Sequence, residues 1–202
     1  MIPAGVPSVP RLVLVTDRHA TAGRELVDVV CAALDAGLPA VQLREKDLWG
    51  AAVFALAERL RSETAARGAL LFVNERVDVA VAVGADGVQL GRGALSLADA
   101  RRLMPSGALV GVSTHAAVAA NEADFLVFGA VYPTPGKSAV GVAPLRAAVD
   151  AARPVPVLAI GGITAAQVPE VRAAGAAGVA VIRAILGAPD PAAATRAFLN
   201  VA

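Results

Sequence analysis

Short apolar runs and amphipathic stretches alternate along the chain from Leu12 to Val201. Leu12-Val13-Leu14-Val15 reads as a strand. In the stretch Arg24–Ala36 that follows, Leu26, Val29, Val30, Ala33 and Leu34 share one face at helical spacing, and Gly37 is a stop signal. The pattern then repeats. Ala40–Leu43 precedes a helix from Leu48 to Arg67, and Leu70–Val73 precedes Val77–Val83. Asp86–Leu90 precedes Ser96–Met104, where Ser96 and Asp99 stand at capping-box spacing. Leu109–Val112 precedes an Ala-rich helix from His115 to Glu122. Phe125–Phe128 leads through a polar segment, 129–142, to a helix over Ala143–Ala152. Val155–Ile160 precedes a helix from Thr164 to Ala174, and Val179–Ile182 precedes a closing helix, Pro191–Val201.

Eight strand–helix units in 202 residues average about 25 residues each, the size of a compact (β/α)₈ unit. The strands are continuous apolar runs, as parallel strands covered on both faces are. The alternative is an open doubly wound sheet. It would carry a Gly-rich phosphate turn after the first strand, where this chain has Thr16-Asp17-Arg18-His19. The expectation is a single (β/α)₈ TIM barrel over residues 1–202, with 1–10 as a flexible N-terminal segment.

Composition narrows the picture. With 56% hydrophobic and 17% charged residues the chain has enough apolar surface to offset its conformational entropy, which excludes disorder. Eighteen basic and seventeen acidic side chains, one Trp and one Tyr give neither a basic stripe nor a stacking platform, so no nucleic-acid partner is expected. No apolar run reaches membrane-spanning length, and the single cysteine, Cys31, has no internal disulfide partner. A cytoplasmic protein with no membrane partner is expected; a homo-oligomer stays open.

In such a barrel the chemistry sits at the C-terminal strand ends. The polar residues there are Thr16, Asp17, Gln42, Arg44, Glu45, Lys46, Asn74, Glu75, Gln89, Ser113, Thr114, His115, Thr134, Lys137 and Arg183. Gln42, Arg44 and Lys46 alternate with Val41, Leu43 and Glu45, which puts an amide and two cations on one side of the second strand and its extension. Their natural complement is a phosphate or diphosphate. The plainer alternative is a solvated strand end with Arg44 paired to Glu75. Gly161-Gly162, between the seventh strand and its helix, leaves backbone N–H groups free for a phosphate, together with the nearby backbone at Ile182 and Arg183. With only His19 and His115 and no His or Cys cluster, zinc is not expected. Ser113 and His115 stand two apart, a spacing that a strand end followed by a helix start also explains.

Taken together, these stretches resemble the thiamine phosphate synthase and TenI superfamily. The matching text is Leu14-Val15-Thr16-Asp17, Val41-Gln42-Leu43-Arg44-Glu45-Lys46, Val73-Asn74-Glu75-Arg76-Val77-Asp78 and Gly84-Ala85-Asp86-Gly87-Val88-Gln89-Leu90. It continues through Gly111-Val112-Ser113-Thr114-His115, Phe128-Gly129-Ala130-Val131-Tyr132-Pro133-Thr134-Pro135-Gly136-Lys137, Ala159-Ile160-Gly161-Gly162-Ile163 and Gly178-Val179-Ala180-Val181. The resemblance implies a (β/α)₈ barrel that binds a small phosphorylated thiazole or thiamine compound. For the synthase, which joins a hydroxymethylpyrimidine diphosphate to thiazole phosphate with Mg²⁺, it implies Gln42, Arg44, Lys46, Asn74, Ser113, Thr134 and Lys137 as pyrimidine and diphosphate contacts and Gly162 in the thiazole phosphate loop.

The departures point elsewhere. The synthase pattern after the fourth strand carries an Asp on magnesium where this chain has Ala94; Glu75 alone keeps a carboxylate. Val88-Gln89-Leu90 is closer to the TenI branch, which aromatises a thiazole carboxylate phosphate by proton transfer, although the His expected after Phe128-Gly129 is Ala130. The expectation is therefore a TenI-like isomerase with no metal or other cofactor and with His115, Glu75 and Lys46 as acid–base candidates. The alternatives are a synthase using Mg²⁺ with Glu75 as a ligand, and a ligand-sensing barrel without catalysis.

Overall fold

A computed structural model of the chain describes residues 8–116 and 122–202. Eight parallel strands close into a barrel: β1 (Leu12–Val15), β2 (Ala40–Leu43), β3 (Leu70–Asn74), β4 (Gly87–Leu90), β5 (Leu109–Thr114), β6 (Phe125–Phe128), β7 (Val157–Ile160) and β8 (Gly178–Val181). Each strand pairs with the next in sequence and β8 returns to β1, so no edge is left unpaired. The described helices are α1 (Leu26–Asp35), α2 (Gly50–Ala66), α3 (Val77–Val83), α4 (Leu97–Leu103), α5 (Val142–Ala152), α6 (Val168–Ala173), α7 (Arg183–Leu186) and α8 (Pro191–Leu199). The helix expected over His115–Glu122 lies mostly outside the described residues, as do residues 1–7 of the expected N-terminal segment. The short α7, which begins directly after β8, has no counterpart in the hydrophobic pattern. At four residues it is too brief to show a period.

The apolar strand side chains have one of two destinations. Leu12, Leu14, Val41, Leu43, Leu71 and Val73 pack with the helices in one large cluster. Val13, Val15, Ala40, Phe72, Leu109, Phe125, Val127, Leu158 and Ala180 form a second cluster inside the barrel. The Phe72 and Phe125 rings meet edge to face with centroids 5.4 Å apart. They fit because glycines face them. A methyl group on Gly87 would lie 2.7 Å from Phe72 Cε1, and one on Gly111 would overlap the Phe125 ring. Gly87→Ala should therefore destabilise the barrel by about 1–3 kcal/mol through overpacking, read as a lower thermal midpoint. An unchanged midpoint would show that the interior has slack.

Polar residues succeed this apolar layer on the same side of the strands. Gln42 follows Ala40, Asn74 follows Phe72, Gln89 follows Gly87 and Ser113 follows Gly111. The period of two along each strand thus sets an apolar floor and, one step toward the C-terminal ends, a polar layer.

Candidate active site

The polar layer is paired. Gln42 Nε2 donates to Asn74 Oδ1 at 3.0 Å, and Gln89 Nε2 donates to Ser113 Oγ at 3.0 Å. Gln42 and Gln89 are both buried. The Oε1 of Gln89 is buried against Gly111 and accepts no hydrogen bond. Sequence reasoning placed Gln89 at a strand end without giving it a role. Its burial beside Ser113 depends on the β4–β5 register, which is not visible in either segment alone.

Arg44 continues the parity of Ala40 and Gln42 and is half-buried; Lys46 and Lys137 are exposed. Among the described residues none of the three pairs with a carboxylate, and the expected alternative pair Arg44–Glu75 is not formed. Glu75 instead leans over Gly91, where a methyl group would overlap its Oε1. Thr134 and Lys137 exchange backbone hydrogen bonds at 3.2 and 3.0 Å across a tight turn, with Gly136 at φ +78. That turn leaves Thr134 half-buried and Lys137 exposed. His115 makes no hydrogen bond to the amide layer; its Nδ1 is hydrogen-bonded to the carbonyl of Gly129.

A cavity of about 330 Å³ opens beside this layer. It is lined by Thr134, Gly161, Gly162, Ile163, Ile182 and Arg183, among others, so five residues named from the sequence meet in one place. Gly161 and Gly162 have φ of +101 and +65, conformations that favour glycine. The N–H groups of Gly162, Ile163, Arg183 and Ala184 have no acceptor among the described residues. Backbone donors left free in this way are what an anion needs. Arg183 Nη2 stands 3.9 Å from Asp17 Oδ2, at the rim. The remaining wall is held by Tyr132. Its N–H donates to Gly161 O at 3.0 Å and its hydroxyl to Glu170 Oε2 at 2.6 Å. Desolvation, then the carboxylate partner, pushes that phenol up to about 12.

A closed (β/α)₈ barrel with amides, unpaired cations and free backbone N–H groups at one end belongs to the class of phosphate-handling TIM barrels. Comparison with known proteins narrows the class. A family model described as thiamine monophosphate synthase matches residues 12–185, and the chain belongs to that family. It is 50% identical over 197 residues to a putative thiamine-phosphate synthase of Geobacter sulfurreducens, covering 93% of this chain and 92% of that one. It is 43% identical to a thiamine-phosphate synthase of Roseiflexus castenholzii, covering 94% and 86%. Among solved structures, a thiamine phosphate pyrophosphorylase from Pyrococcus furiosus superposes with a TM-score of 0.83 at 36% identity, covering 95% and 94%.

These findings correct the expectation of a TenI-like isomerase: the relatives bear the synthase name, and the chain is an enzyme of that family. The sensing barrel without catalysis falls with it. One missing carboxylate, at Ala94, does not remove the chain from the synthase family. No helix among the described residues is long and apolar enough to cross a membrane.

Magnesium is the metal the family implies. Among the described residues no three His, Cys, Asp or Glu side chains gather as a metal site. Asp17 faces Arg183, Glu45 and Asp47 are held by Arg18, and Ala94 packs partly buried against the helix-facing core. Glu75 is left as a lone carboxylate. This donor set does not fit a protein-built magnesium site.

Proposed function

We propose that this protein is a thiamine-phosphate synthase, joining a hydroxymethylpyrimidine diphosphate to thiazole phosphate and releasing diphosphate. The observation that carries the reading is the pairing of two anion-suited features at one barrel mouth: the cations Arg44 and Lys46 after β2, and the free N–H groups of the Gly161–Gly162 and Arg183 turns in a cavity that the turn bearing Lys137 also borders. A condensation between two phosphorylated partners needs two such sites.

In the reaction the thiazole nitrogen gives its electron pair to the methylene carbon of the pyrimidine, and the bond from that carbon to the diphosphate oxygen breaks. The departing oxygen keeps the bonding pair, so negative charge grows where Arg44, Lys46 and Lys137 stand. Fixed cations at that place are worth more as the charge develops than before it does. The Gln42–Asn74 pair orients the pyrimidine ring, and Ser113 and Thr134 offer hydroxyls to the anionic oxygens. Gly161, Gly162 and the backbone of Ile182 and Arg183 hold the thiazole phosphate. No proton changes hands, so His115 and Glu75 have no acid–base work, and Lys46 serves as an anion ligand.

The test is an assay of the purified chain with both substrates in magnesium-containing buffer. Thiamine phosphate and diphosphate should form in equal amounts, and only when both substrates are present. Saturating substrates that yield no thiamine phosphate above background would overturn the proposal.

A further inference from the structure

The segment that carries Arg44 and Lys46 is anchored by residues from the preceding loop. Arg44 N donates to Thr16 Oγ1 at 2.8 Å, and Thr16 is fully buried. Glu45 has a side chain only 2% exposed. Its oxygens accept from Arg18 N at 3.2 and 3.1 Å and from Arg18 Nη1 at 3.2 Å. The same guanidinium grips Asp47 with Nη1 at 2.5 Å and Nη2 at 2.6 Å, and His19 Nε2 lies 2.9 Å from Asp47 Oδ2. Hydrogen bonds from Arg18 and then His19 hold the Asp47 carboxyl well below the usual carboxylate range. Residues 44, 45 and 47 are thus each tied to residues 16–18. Lys46, fixed on both sides, is left with an exposed side chain that pairs with no carboxylate among the described residues.

An exposed Arg–Asp pair alone would contribute little. Here the guanidinium is shared between an exposed carboxylate and a buried one, and its planar fork sets the angle between them. Without Arg18 the Glu45 carboxylate would be buried with no cation, so the turn would have to rearrange to hydrate it. We propose that Arg18 is a positioning residue: through Glu45 and Asp47 it fixes the direction in which Arg44 and Lys46 present their charge to a diphosphate. The inference rests on the anion-binding reading of this mouth, while Arg18, Glu45 and Asp47 are not among the residues lining the thiazole-phosphate cavity.

The experiment measures calorimetric affinity for inorganic diphosphate and steady-state KM for both substrates. The proteins are the parent, Arg18→Ala, Arg18→Lys and Asp47→Asn. Asp47→Asn leaves Glu45 paired, so it keeps the test valid if Arg18→Ala fails to fold. Arg18→Ala and Asp47→Asn should each weaken diphosphate binding and raise the pyrimidine-diphosphate KM by about tenfold. The thiazole-phosphate KM should stay within about twofold. Arg18→Lys should recover only part of the loss, because an ammonium cannot fork. A merely structural role would lower the thermal midpoint and leave the two KM values in ratio; that result overturns the inference. So does diphosphate affinity in Asp47→Asn equal to the parent's, or no diphosphate binding by the parent. A parent that binds diphosphate but makes no thiamine phosphate, with binding lost in Asp47→Asn, would sink the synthase reading and sustain this one.

Discussion

Gly162→Val should cut affinity for thiazole phosphate by about a hundredfold or more while leaving diphosphate binding intact. Two effects combine. At φ +65 a β-branched residue is strained wherever it is placed. Its Cβ would also stand 2.6 Å from the carbonyl oxygen of Pro133 and 2.8 Å from Tyr132 Cβ. Backbone has to yield, since the Tyr132 hydroxyl is held by Glu170 and its N–H by Gly161. The N–H groups of Gly162 and Ile163 then leave the cavity wall. Hydrogen bonds to a charged group are worth about 1.5–3 kcal/mol each, and losing two is more than a hundredfold. Calorimetry with thiazole phosphate reads the loss, with inorganic diphosphate as the control for an intact mouth. Parental affinity for thiazole phosphate in this variant would show that the Gly161–Gly162 turn merely reverses the chain.

That turn was visible in the sequence because it needs only neighbouring residues: two glycines between an apolar run and a helix. The barrel was visible for the same kind of reason. Runs such as Leu12–Val15 and Leu109–Val112 are apolar at every position, which only strands covered on both faces tolerate. Period two was enough to place Gln42 and Arg44 on the side of Ala40. What stayed hidden is what the closed sheet brings together across long separations. Arg18 lies 27 residues from Glu45, and Gln89 is 24 from Ser113. Neither pairing follows from spacing, because each depends on which strands are neighbours and in what register. The activity was misread for a related reason. Ala94 reads as a lost ligand in isolation, while the cations after β2 and in the turn after β6, which bear on the same charge in the proposed reaction, stand on other strands.

Arg44→Ala should lower kcat/KM for the pyrimidine diphosphate by about 10- to 150-fold, the effect of one charge-assisted contact of roughly 1.5–3 kcal/mol. The loss should fall on kcat as well as KM. The leaving diphosphate carries more charge on its bridging oxygen in the transition state than in the ground state, so a fixed cation lowers the barrier as well as the binding energy. Arg44 is half-buried above an apolar floor, where the local dielectric is lower than in water and the attraction is larger. Lys46→Ala should do less, because its exposed ammonium is screened by solvent and salt. The difference has a second readout. Raising ionic strength should erode the Lys46 contribution and spare most of the Arg44 contribution. Steady-state kinetics of both variants at low and high salt checks the ranking. Equal and small effects, within about twofold of the parent, would move the diphosphate away from the β2 extension.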